Sequence, residues 1–121
     1  FSRLGSVIEV DNDSKIDTFT GVIGSGPAYF FQTLKSFEKK LMRLCNQDEK
    51  IVREIIANLM KGVGSSIEKD GDLDNLIKAV ASKNGTTEAG LKSLKSNNLN
   101  QIFEKGFNAA IKRSKEISNE F

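Results

Sequence analysis

The stretch that decides the fold is residues 24–44, GSGPAYFFQTLKSFEKKLMRL. Gly24, Ser25 and Gly26 give a mobile approach, and Pro27 suits the first turn of a helix, where its missing N–H would have had no intrahelical partner. Beyond it Phe30, Leu34, Phe37, Leu41 and Leu44 recur at steps of four, three, four and three. That spacing lays an apolar stripe along one helical face. Lys35, Glu38, Lys39 and Arg43 fall off the stripe. The reading is a long amphipathic helix whose aromatic stripe is core.

The same period continues toward the C-terminus. Asn46-Gln47-Asp48-Glu49 offers an Asn-x-x-Glu capping box, after which Val52, Ile55, Leu59 and Val63 repeat the helical spacing. Gly62 and Gly64 sit inside this second helix at roughly 1 kcal/mol each relative to Ala. Close packing against another backbone would offset that cost; the alternative is a frayed helix end. Asp70-Gly71-Asp72 ends this helix and caps a short one carrying Leu73, Leu76, Ile77 and Val80. Leu91 and Leu94 mark a fourth helix. After Asn97-Asn98, a fifth carries Leu99, Ile102, Phe103, Phe107, Ala110, Ile111 and Ile117, with Asn98 and Gln101 as its box.

Toward the N-terminus the signals change. Leu4 to Val10 is short and β-like, followed by the turn-rich Asp11-Asn12-Asp13-Ser14, and Ile16 to Ile23 is mixed. The expected class is all-α, a bundle of about five helices with a short extended N-terminal segment, forming one domain over residues 1–121. Apolar stripes this rich exceed what a lone bundle of this size would cover, so a dimer is expected. The chain opens Phe1-Ser2-Arg3-Leu4 without an initiator methionine, which reads as a piece of a larger protein.

Composition narrows the function classes. Hydrophobic residues make 38% and charged residues 28% of the chain, an ordinary globular balance, and roughly two-thirds of the unfolded surface can be buried at this length. Lys and Arg number 18 against 16 Asp and Glu, interleaved along predicted helices, so no nucleic-acid partner is called for. Cys45 is the only cysteine and there is no histidine, which excludes an intrachain disulfide and a Cys–His nucleophile and suits a reducing, cytoplasmic setting. No apolar run approaches the ~20 residues of a membrane span.

The remaining chemical signal is Ala81-Ser82-Lys83-Asn84-Gly85-Thr86-Thr87-Glu88, small and hydroxyl residues directly before a helix start. Unpaired N–H groups and the positive end of the helix dipole suit a carboxylate or phosphate there, and Thr86 or Thr87 can add a hydroxyl. The bland alternative makes Thr86 or Thr87 an N-cap and Gly85 a turn glycine. Paired carboxylates and metal-type clusters are missing, and Gly24-Ser25-Gly26 is not a complete dinucleotide fingerprint or P-loop.

Three strings, GSGPAYFF from Gly24, NGTTEAGLKSL from Asn84 and AAIKRSKEI from Ala109, resemble in order and interval the C-terminal domain of the pyrroline-5-carboxylate reductase family. Phe1-Ser2-Arg3-Leu4-Gly5 is similar to the crossover from that family's nucleotide-binding domain. In the family the loop commonly reads Ser-Pro-Gly-Gly-Thr-Thr, then Ala-Gly-Leu shortly after. Ser82, Gly85, Thr86, Thr87, Ala89, Gly90 and Leu91 match. Lys83 replaces the proline and Asn84 the first glycine. Asn tolerates positive φ and keeps the loop's shape, whereas Lys83 loses stiffness and adds a charge, which bears on substrate affinity.

The resemblance implies a domain that interlocks as a homodimer, or a higher homo-oligomer, and completes an active site at its interface. The implied reaction reduces 1-pyrroline-5-carboxylate to L-proline with NADPH or NADH. It places the substrate on the loop at Ser82, Asn84, Gly85, Thr86 and Thr87, with the carboxylate on the backbone amides near Asn84, Gly85 and Thr86 and the Thr87 hydroxyl, the catalytic candidate, near the imine nitrogen. NADP or NAD would be bound mainly by an N-terminal domain absent from this chain; no cofactor and no metal are expected on these residues, and the isolated chain is expected to be inactive. Two rival readings are a non-catalytic helical interaction module derived from the family, with Lys83 and Asn84 as marks of the loss, and a basic helical nucleic-acid binder.

Overall fold

A computed structural model describes residues 13–81 and 85–120. Among the described residues six α-helices follow one another: α1 Asp13–Phe19, α2 Gly26–Leu44, α3 Glu49–Lys69, α4 Leu73–Ala81, α5 Gly85–Ser96 and α6 Leu99–Glu120. A π-helical turn, Thr20–Gly24, joins α1 to α2. No strand occurs among the described residues, and the expected all-α class holds. The extended segment expected from Leu4 to Val10 lies outside the described residues. Among those residues no helix is long and apolar enough to cross a membrane.

The chain divides into two units, residues 13–29 with 100–120 and residues 30–99. In the first, the stretch Ile16 to Ile23 that reads as mixed in sequence is helical. Ser25 N–H reaches the Thr20 carbonyl at 3.0 Å, a span of five residues. This wider turn carries an extra residue and breaks the 3.6-residue period. Gly21 is buried there because α6 passes close: a Cβ on it would lie 2.7 Å from Ile111 Cγ1 and 3.0 Å from the Ile111 nitrogen. Tyr29 Oη donates to the Gly21 carbonyl at 2.7 Å, and its ring meets Phe107 at 5.6 Å. Asp17 is 5% exposed and accepts a 2.7 Å hydrogen bond from Ser114 Oγ.

In the second unit the helix ends have identifiable chemistry. Asp48, with extended backbone, caps α3 through Oδ1, which accepts from the Lys50 and Ile51 N–H groups at 3.1 and 3.3 Å. Asn46, the cap expected from sequence, instead takes φ 52° and Gln47 φ 65°, closing α2 with a Gln47 N–H to Met42 carbonyl bond of 2.8 Å. A cap residue needs extended backbone, so a left-handed Asn46 ends the preceding helix rather than starting the next. Asn98 at φ 61° corrects the expected box before α6 in the same way. The Asp70-Gly71-Asp72 expectation holds: Gly71 has φ 80°, and Asp72 Oδ1 accepts from the Asp74 and Asn75 N–H groups.

Packing inside the protomer is sparse. Val52, 1% exposed, is the one fully buried apolar side chain among the described residues. The α2 stripe read as core is not covered: Phe30, Phe37 and Leu44 are exposed, Leu44 by 75%. The expected close packing at Gly62 and Gly64 is also not seen among the described residues, where a Cβ on either would meet nothing within 4 Å. The apolar face exists as the periodicity predicts, and Phe30, Phe37 and Leu44 on it stay exposed.

Candidate functional site

Helix α5 opens at Gly85, so Gly85, Thr86 and Thr87 form its first turn. Both threonines therefore lie within the helix as bounded, in its first turn. Gly85 is not among the residues with positive φ, and a Cβ there would meet nothing within 4 Å. It begins a helix with open space beside it and is not a left-handed turn residue. The N–H groups of a first helical turn have no intrahelical acceptors and sit at the positive end of the dipole. Ser82, Lys83 and Asn84, the other half of the predicted loop, lie outside the described residues.

Thr87 is half-buried and stands on the wall of a groove of about 630 Å³ enclosed by α3, α4 and α5. Leu59, Val63 and Ile67 of α3, Leu76 and Ile77 of α4, and Leu91 of α5 line it with Thr87. Among the described residues no acidic or basic side chain lines it, and Asn58, Ser66 and Thr87 are its polar members. Ser66 Oγ is already donated to the Gly62 carbonyl at 2.9 Å. The sequence gives each stripe separately, and the groove arises only when three helices are placed side by side. Its one legible signal is the glycine-rich run of α3, with Gly62 on the groove floor.

Gly24 and Gly26 lie at a π-helical turn between two helices, not at the strand-to-helix turn of a Rossmann dinucleotide fingerprint. Among the described residues no three His, Cys, Asp or Glu side chains gather to hold a metal ion. Cys45 is a free thiol of intermediate exposure.

Residues 13–117 match the family model described as pyrroline-5-carboxylate reductase dimerisation. Similar curated proteins carry the name pyrroline-5-carboxylate reductase. One from Staphylococcus aureus is 41% identical over 116 residues, 95% of this chain and 42% of its own length. One from Staphylococcus haemolyticus is 39% identical over 97% of this chain and 43% of its own length. One from Haemophilus influenzae is 32% identical over 98% of this chain and 44% of its own length. The chain thus spans less than half the length of these relatives. With all six helices inside or overlapping the matched region, the chain belongs to the pyrroline-5-carboxylate reductase dimerisation family.

Proposed function

We propose that residues 1–121 form the C-terminal helical dimerisation and substrate-binding domain of a pyrroline-5-carboxylate reductase. That enzyme reduces 1-pyrroline-5-carboxylate to L-proline with NADPH or NADH in the cytoplasm. The observation that carries this reading is the family match over residues 13–117. The first turn of α5 supports the assignment of the site. Backbone N–H groups at Gly85 and Thr86, with Ser82 and Asn84, hold the substrate carboxylate, and the Thr87 hydroxyl is set near the imine nitrogen. A protonated cyclic imine is already electrophilic, so the work left to these residues is orientation and exclusion of water.

NADP or NAD is assigned mainly to a nucleotide-binding domain outside these residues. The domain acts as a homodimer or higher homo-oligomer. The test is proline formation measured in two proteins: the 121-residue chain alone, and the same chain joined to the part of the Staphylococcus aureus relative that it does not match. Activity with NADPH or NADH is expected only in the second. Measurable proline formation by the chain alone would overturn the assignment of cofactor binding, and an inactive, well-folded fusion would overturn the enzymatic reading.

A further inference from the structure

We draw no further inference here: the strongest candidate, the apolar groove between α3, α4 and α5, restates the dimerisation already given as the domain's role if a second copy fills it, and nothing in the structure shows any other occupant.

Discussion

Ser114 Oγ lies 2.7 Å from Asp17 Oδ1, joining α6 to α1 across 97 residues of sequence. Asp17 is nearly inaccessible, so its carboxylate depends on that donor. Removing the hydroxyl with Ser114→Ala leaves a buried acceptor short of a partner, at a cost of about 1–3 kcal/mol. Chemical denaturation at fixed protein concentration should report that loss. An unchanged midpoint would show that water replaces the serine at no cost.

Gly21 and Gly64 should respond oppositely to alanine. At Gly21 the new methyl meets Ile111, including its backbone nitrogen at 3.0 Å, and overpacking of this kind costs about 1–3 kcal/mol. At Gly64, inside α3 with open space beside it, the gain in helix propensity is about 1 kcal/mol. Thermal unfolding of the two variants side by side checks the sign of each. The same sign at both positions would contradict the packing described for one of them.

Asp48 and Asn46 separate two accounts of where α3 begins. Asp48→Ala removes the oxygen that accepts from Lys50 and Ile51, and should cost about 1 kcal/mol. Gln47→Gly should stabilise, because Gln47 occupies φ 65°, where a non-glycine side chain costs about 1–2 kcal/mol, less the extra entropy glycine gives the unfolded chain. Denaturant midpoints for both variants provide the check. Greater sensitivity to Asn46→Ala than to Asp48→Ala would restore the capping box read from sequence.

Thr87→Val keeps shape and removes the hydroxyl. In the active fusion described above, kcat should fall roughly tenfold to a hundredfold, the loss of one hydrogen bond of about 1.5–3 kcal/mol to a charged group. Steady-state kinetics with circular dichroism as a fold control measures it. Wild-type kcat in a folded Thr87→Val enzyme would remove Thr87 from the chemistry.

The helices were legible in the sequence where an apolar period ran unbroken, as from Phe30 to Leu44 and from Val52 to Val63. Ile16 to Ile23 was not, because the π-helical turn at Thr20–Gly24 adds a residue and shifts the later side chains off the stripe. The α3 start was misplaced by two residues because Asn46 and Asp48 are both competent caps, and only φ distinguishes them. Periodicity also cannot say what covers an apolar face, which is why the α2 stripe read as core and is exposed.

For the site, the hydroxyl-rich start of α5 was visible in Gly85, Thr86 and Thr87. That Thr87 borders an apolar groove was not, since the groove depends on α3 and α4 residues with no local pattern linking them to it. The Asp17–Ser114 bond escaped for the same reason: neither residue is unusual among its neighbours.

The isolation of Val52 as the one fully buried apolar side chain among the described residues carries a kinetic consequence for the proposed homodimer. Hydrophobic burial is the main force that offsets chain entropy. If a second copy supplies that burial, acquiring the native state is second order in chain: newly made copies would depend on meeting one another, dilution would act as a denaturant, and the unfolding temperature would climb with the logarithm of concentration.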